Sequence, residues 1–266
     1  GYDDSTWLQA ERVSIPSGYL RGQTIPGIKV VEKVNPRTIR KSANGYILDM
    51  GQNMVGWLRI RVKGNAGDSV RLRFAETLQP DGELYTANLR SAKVTDLYIL
   101  KGEGIEEWAP RFVYHGFRYV RVTCDQPVSP EDFTAIVLSS DNEDLGTFET
   151  SNEDINRLYE NTRWSQRSNL FWGIRGNDKG IPLDCPQRDE RQPWLGDHTN
   201  GALGESFLME NGPLYAKWMD DIRDAQREDG CIPDVVPAYY YYYTDNVTWP
   251  STFIFISNML YEQYGN

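Results

Sequence analysis

The sequence is short of the residues that build many hydrolytic centres. Its 266 residues include only two histidines, His115 and His198, and three cysteines, Cys124, Cys185 and Cys231. So few histidines remove most metallohydrolase and serine-triad schemes from consideration. The cysteines are odd in number, widely spaced and without a CxxC pair, so they imply neither a full disulfide framework nor a structural zinc site. They read instead as small buried residues. No apolar run approaches the ~20 residues that a bilayer span requires, which excludes a membrane-spanning helical protein. Positive charge is in deficit as well. The 28 Lys plus Arg stand against 38 Asp plus Glu, a formal charge of -10, so a phosphate backbone would be repelled and nucleic acid is a poor partner. The first residues, Gly1-Tyr2-Asp3-Asp4-Ser5, carry no basic segment followed by an apolar stretch, and no signal peptide is visible there.

Aromatic residues are plentiful, with eight Trp and 16 Tyr. On an acidic chain their flat faces suit carbohydrate, and they equally suit a packed core. From about Trp7 to Ser140 the apolar residues come in short pieces separated by Gly, Pro, Asn or Asp, which read as strands. Val70, Leu72 and Phe74 alternate with Arg71 and Arg73, placing the apolar side chains on one face and the arginines on the other. The turn Pro80-Asp81-Gly82 follows. Further strands are expected over Ile28 to Val34, Gly56 to Val62, Thr95 to Leu100, Phe117 to Thr123 and Thr134 to Leu138, a β-sandwich pattern.

The period changes at about Asn142. Ser151-Asn152-Glu153-Asp154 offers a hydroxyl N-cap with an acid three residues on, and Ile155, Leu158, Tyr159 and Thr162 follow on one helical face. Further helices are expected over Asp197 to Met209, from Pro213 to Ala225 with Gly230 as its C-terminal glycine, and after Trp249-Pro250. Strands followed by helices indicate two domains, here residues 1–142 and 143–266, with the boundary near Asp141 to Leu145.

Between the first two helices lies Pro182-Leu183-Asp184-Cys185-Pro186-Gln187-Arg188-Asp189-Glu190-Arg191-Gln192-Pro193-Trp194-Leu195-Gly196-Asp197. Three prolines argue against a continuous helix, so the segment reads as an ordered loop presenting acids, arginines and Trp194 from a helical frame. Its charges could simply pair off at the surface, each pair contributing about 0–1 kcal/mol. They also fit glycoside hydrolysis, which needs one carboxylic acid with a raised pKa to protonate the leaving oxygen and a second carboxylate for water or the sugar. Converging acids push one of their number toward the protonated form, and an aromatic wall such as Trp194 helps by excluding water. Glu190 suits the acid, with Asp184 and Asp197 ionised on sugar hydroxyls; by chemistry alone Asp189 competes with it.

The run Asp184-Cys185-Pro186-Gln187-Arg188-Asp189-Glu190-Arg191, then Trp194, Gly196 and Asp197, resembles the signature of the bacterial α-L-rhamnosidases, glycoside hydrolase family 78. A second stretch is similar to the β-sandwich that precedes the catalytic domain in that family. It comprises Asp49-Met50-Gly51-Gln52-Asn53, Gly56-Trp57, Ala75-Glu76, Thr95-Asp96-Leu97-Tyr98 and His115-Gly116-Phe117-Arg118-Tyr119. The likeness covers nearly the whole chain.

The resemblance implies an antiparallel β-sandwich followed by the N-terminal part of an (α/α)6 barrel. It further implies inverting hydrolysis of terminal α-L-rhamnose, with a rhamnose-containing glycan or glycoside as partner; no cofactor and no metal-ligand residues are read from the sequence, and a metal in the sandwich stays open. By position Glu190 matches the general acid, Asp184, Arg188 and Asp197 the polar residues around the sugar, Trp194 an aromatic wall and Trp249 a further pocket aromatic. The general base of the family lies further along the barrel, past residue 266. The ~124 residues after the boundary allow about seven helices of ordinary length where twelve are required, so the chain is expected to be a fragment with little turnover of its own. Two departures stand out: Ser251 replaces the acid usually found two residues after Trp249, and Gln192-Pro193 replaces an apolar-glycine pair. The alternatives are a non-catalytic carbohydrate-binding protein, or a different glycosidase or lyase on the same toroid. Tyr239 to Tyr243 could form an aromatic platform for a sugar or aglycone, or a sticky loop. His115 reads as a hydrogen-bonded structural residue, and His198, next to Asp197, is a weaker candidate for the pocket.

Overall fold

The computed structural model describes every residue except 1–2, 16–18, 20–21, 23, 26, 141, 173–179, 238–239 and 266. Asp141, at the expected boundary, and Tyr239 therefore lie outside the described residues.

The strands of the first half are β1 (Ile28–Val34), β2 (Thr38–Ser42), β3 (Gly45–Lys63), β4 (Ser69–Ala75), β5 (Thr77–Leu78), β6 (Leu84–Tyr85), β7 (Thr95–Ile99), β8 (Ile105–Trp108), β9 (His115–Thr123) and β10 (Phe133–Ser140). The expected strands are all present. Eight strands join through antiparallel pairs in the order β1-β10-β3-β9-β4-β7, with β2 and β8 also on β3. Among the described residues this is one curled sheet rather than two separate sheets, because the 19-residue β3 runs through both parts of it. Its first half pairs with β2 and β9, and its second half with β10, β9 and β8. The register slips between Asp49 and Met54, which marks a bulge where the strand bends. Gly82 closes the turn of the small β5-β6 hairpin, its N–H donating to the Gln79 carbonyl at 2.8 Å.

Period-two alternation explains the burial. Leu58, Ile60, Leu72, Phe74, Phe117, Val120, Val122 and Phe133 are fully enclosed and form one core, while Arg71 and Arg73 are exposed. Strand β10 is buried along its whole length. Ala135 and Val137 enter the core of the sheet, and Ile136 and Leu138 face a second core shared with the helices.

The second half holds α1 (Glu153–Asn169), the strand pair β11 (Leu170–Trp172) and β12 (Gly180–Pro182), and the helices α2 (Leu195–Thr199), α3 (Ala202–Glu205), α4 (Gly212–Ala225) and α5 (Thr252–Tyr264). Four sequence expectations are corrected here. The N-cap of α1 is Asn152, whose side chain accepts from the N–H groups of Asp154 and Ile155, and not Ser151. On the expected face of α1, Ile155, Leu158 and Thr162 are exposed, while Tyr159 is half-buried against the helical core. The helix turns its other side inward, where Trp164 packs on the sheet core under the Arg167 guanidinium, 5.3 Å from the ring. The single helix expected over Asp197 to Met209 is broken into α2 and α3 at Asn200-Gly201. Finally, α4 ends at Ala225 with an extended Gln226, so Gly230 closes a separate turn by donating to the Arg227 carbonyl.

The helical core gathers Leu195, Leu214, Tyr215, Trp218, Ile222, Val236 and Ile256 over the outer face of the sheet. Trp218 is fully buried and its indole N–H donates to the Val236 carbonyl at 2.7 Å. Helix α5 begins after Trp249-Pro250, and its buried Thr252 hydroxyl hydrogen-bonds Thr199 of α2. That contact fixes α2, and with it the end of the acidic loop.

Candidate active site

The 184–197 segment leaves β12 and returns to α2 as a closed loop. Asp184 donates its N–H to the Gln192 carbonyl at 3.0 Å, and Gln192 returns its own N–H to Asp184 Oδ1 at 2.7 Å. Pro193 accepts from the Val236 N–H, and Trp194 forms an isolated bridge with Val235. The Gln192-Pro193 pair thus lies at the loop's closure, where its backbone groups are used. The other departure, Ser251, turns its hydroxyl back to the Thr248 carbonyl at 2.6 Å.

Glu190 lies inside this loop with a side chain only 17% exposed, so the central carboxyl does not point into bulk solvent. Its Oε1 accepts the Trp194 indole N–H at 3.0 Å. Its Oε2 meets two guanidiniums, Arg188 at 2.8 Å and Arg90 at 2.8 Å. Asp184 is 5% exposed and lies 3.5 Å from Arg188 through Oδ2. The loop thereby brings Asp184, Arg188, Glu190 and Trp194 together.

Asp197 sits in the first turn of α2. Burial, and then the charges of Asp184 and Glu190, push its pKa above the ordinary aspartate value, only partly offset by a backbone N–H and by Arg188. The proton-retaining tendency expected of a converging acid cluster therefore shows at Asp197, which the sequence reading had left ionised. Asp189 is bound by Ser91 instead. It accepts from the Ser91 N–H at 3.3 Å and from the Ser91 hydroxyl, which hold its carboxyl below the usual range. Glu190 and Asp189, inseparable on chemistry alone, thus have different surroundings.

Trp249 reaches the group through Gly196. A β carbon at that glycine would come within 2.7 Å of the indole ring, so the absence of a side chain lets the ring lie on the start of α2. Trp194 also meets Tyr242, with ring centroids 5.1 Å apart, so part of the tyrosine run lines the same wall. The remaining candidates lie elsewhere. His115 is buried, hydrogen-bonded to Asp96 at 3.0 Å and stacked on Phe74, a structural role. His198 is buried edge-on against Trp218, and burial pushes its pKa down to about 4. Cys185 is buried, while Cys124 and Cys231 are half-buried.

The ligand atoms of Asp184, Cys185 and Glu190 lie within 4.8 Å of one another, a set that could hold a cation. Its chemistry fits poorly. Burial and the Asp184 carboxylate push the Cys185 thiol up to about 12, so the sulfur donates to Asp184 rather than acting as a thiolate. Glu190 is already balanced by two guanidiniums.

Several contacts to this loop come from the strand-rich half and were not read from the sequence. Arg90, Ser91 and Tyr114 hold Glu190, Asp189 and Arg191 respectively. Gly116 of β9 abuts Gln187, where a β carbon would come within 2.8 Å of the Gln187 side chain.

The model for the bacterial α-L-rhamnosidase six-hairpin glycosidase domain matches residues 143–266, and that for the bacterial α-L-rhamnosidase concanavalin-like domain matches residues 39–139. The chain belongs to the bacterial α-L-rhamnosidase family. The α-L-rhamnosidase of Streptomyces avermitilis is 40% identical over 271 residues, covering 100% of this chain and 25% of the relative. That of Formosa agariphila is 37% identical over 240 residues, covering 89% and 25%. Among solved structures, the α-L-rhamnosidase of Dictyoglumus thermophilum superposes with a TM-score of 0.92 at 39% identity, over 100% of this chain and 29% of that one. The Streptomyces avermitilis enzyme complexed with L-rhamnose gives 0.86 at 39%, over 92% and 23%. The chain spans about a quarter of the length of the curated relatives it matches.

Proposed function

We propose that this chain carries the acid side of an inverting α-L-rhamnosidase site, built on the opening helices of an (α/α)6 barrel. Glu190 donates a proton to the bridging oxygen of a terminal α-L-rhamnoside. Asp184, Arg188 and Asp197 bind the sugar's hydroxyls, and Trp194 and Trp249 wall the pocket. The observation that carries this reading is the enclosure of Glu190 between the Trp194 indole and two guanidiniums, within a loop closed on itself by Asp184 and Gln192.

Three carboxyls, Asp184, Glu190 and Asp197, belong to this segment, and Glu190 lies against two guanidiniums. The upward shift at Asp197 supports a proton held within the group. Sugar binding covers the cluster and excludes water, and Glu190 enters the reaction as the carboxylic acid, passing its own proton to the bridging oxygen as that bond breaks. A water attacks the opposite face of the ring, activated by a general base about 6.5–9.5 Å from the acid. We assign that base to a glutamate beyond these 266 residues.

The test is Glu190→Gln in a chain extended to the length of its relatives, assayed on the p-nitrophenyl α-L-rhamnoside. A loss of about 10²–10⁴-fold in kcat with sugar affinity kept is expected for removal of a general acid. Unchanged hydrolysis would remove Glu190 from the mechanism. The 266-residue chain alone is expected to show little turnover, and turnover at the rate of the extended chain would refute an external base.

A further inference from the structure

Three consecutive residues of the acidic loop are each tied to connecting segments of the strand-rich half. The Asp189 carboxylate takes the N–H and hydroxyl of Ser91. Glu190 Oε2 meets Arg90 at 2.8 Å. Arg191 donates to the Tyr114 carbonyl at 2.9 Å, and its guanidinium lies 4.1 Å from the centre of the Tyr114 ring. Arg90 and Ser91 follow directly on the short helical turn Ala87–Leu89 after β6, and Tyr114 leads into β9. Arg90 and Arg191 both adopt positive φ, at 56° and 47°, a backbone region that residues with a β carbon seldom enter. The contacts around Glu190 are thus made by two segments in uncommon conformations, one from each half of the molecule.

The two cations on Oε2 are not equivalent. Arg188 belongs to the loop itself and also faces Asp184, so it moves with Glu190. Arg90 comes from the connection between β6 and β7 in the strand-rich half, and its side chain is 54% exposed. Of the groups on the carboxyl, Trp194 and Arg188 belong to the same segment, and Arg90 ties that segment to the neighbouring layer.

We infer that Arg90 is a positioning residue for proton delivery, holding the Glu190 carboxyl from the β6–β7 connection in the orientation set by the Trp194 indole and Arg188. The inference rests on the reading of Glu190 as the acid. It makes the strand-rich half a working part of the site, since an acid displaced by about 1 Å loses on the order of a hundredfold in rate.

The experiment compares Arg90→Ala, Arg90→Lys and Glu190→Gln in the extended chain on two rhamnosides. One is an alkyl rhamnoside, whose leaving group must be protonated, and the other is the dinitrophenyl rhamnoside, whose leaving group departs without a proton. Arg90→Ala is expected to lower kcat on the alkyl substrate by roughly 10–100-fold, to leave kcat on the dinitrophenyl substrate and KM on both within about twofold, and to keep the melting temperature. Arg90→Lys is expected to recover part of the loss. In the 266-residue chain, the Trp194 indole N–H resonance, identified by its loss in Trp194→Phe, is expected to move in Arg90→Ala and to return toward its original position in Arg90→Lys. Equal losses on both substrates would make Arg90 merely structural, and an unchanged alkyl rate would remove it from the site. Either result overturns the inference. If Glu190→Gln shows the leaving-group split and Arg90→Ala does not, only the role of Arg90 falls. If Glu190→Gln keeps its alkyl rate, the acid assignment falls with it. Should Arg90→Ala not fold, Arg90→Gln carries the same comparison.

Discussion

The sheet and the helices treat their apolar residues differently. In the sheet, Leu58, Phe74, Phe117 and Phe133 are fully enclosed within one core. The helices leave more apolar surface open: Leu158 of α1 is 65% exposed and Tyr261 of α5 is 72% exposed, and α1 encloses none of its residues completely. A strand sorts its side chains to two faces by period two, and a curled sheet encloses one of those faces by itself. A helix needs a neighbour for every apolar stripe. In this chain the helices find theirs in the outer face of β10 and in the α4-α5 pair. The helical half therefore leans on the sheet for its core and, through Arg90, Ser91 and Tyr114, for the shape of its acidic loop.

The largest effect should come from Trp218→Ala. Removing this enclosed ring opens a cavity and leaves the Val236 carbonyl without its donor, a loss of about 3–5 kcal/mol. Amide hydrogen exchange is expected to show the helices losing protection first while β3, β4 and β9 keep theirs. Simultaneous loss in both halves would break the asymmetry. Leu58→Ala sharpens the comparison from the other side, at about 2–5 kcal/mol. It should lower protection in both halves together, since the helices rest on the sheet.

Acidity separates the halves next. Burial raises Glu205 of α3 to about 7 despite the Tyr215 hydroxyl that donates to it, so the folded form keeps a proton that the unfolded chain gives up. That contribution is fully present below pH 4.5 and is lost as pH rises through about 7. His198, 4.0 Å from Glu205, works in the opposite sense. Its pKa is depressed to about 4, so its contribution is full above pH 6.5 and is lost as pH falls toward 4. The two slopes largely offset each other between these limits. Glu205→Gln should unmask a helical half that weakens steadily on acidification from pH 6.5, followed by denaturant unfolding at a series of pH values. A slope unchanged from the parent would refute the pairing. The sheet responds only at lower pH. The Arg118 side chain holds Asp49 below the ordinary aspartate value, and its contribution is lost as pH falls through and below 3.8. The smallest effect is expected from Arg59→Ala, which breaks an exposed pair with Glu107 and should change stability by about 1 kcal/mol or less.

The same contrast governs what could be read from the sequence. Alternation located β4, and short apolar pieces bounded by Gly, Pro, Asn or Asp located β1, β7, β9 and β10. The first part of β3 was obscured by Gly51-Gln52-Asn53, which reads as a turn although the chain continues through it as a bulged strand with Gly51 at φ 77°. Helix α1 has apolar residues on two sides, so its periodicity alone could not say which side meets the sheet. In the acidic loop, residue type and order identified Asp184, Arg188, Glu190 and Trp194, and the fold assembled them within one segment. Ser91 and Asp189 stand 98 positions apart, and local spacing carries no signal for a contact at that range. The upward shift at Asp197 depends on burial, which only the folded chain defines.

The most direct test of the claim that the 184–197 loop forms a rhamnose site is a titration of the 266-residue chain with L-rhamnose, followed through its indole N–H resonances. The resonances of Trp194 and Trp249 should move, that of Trp108 in the sheet should stay, and Asp184→Ala should abolish the response. No movement at Trp194 and Trp249, or movement that survives Asp184→Ala, would contradict the account.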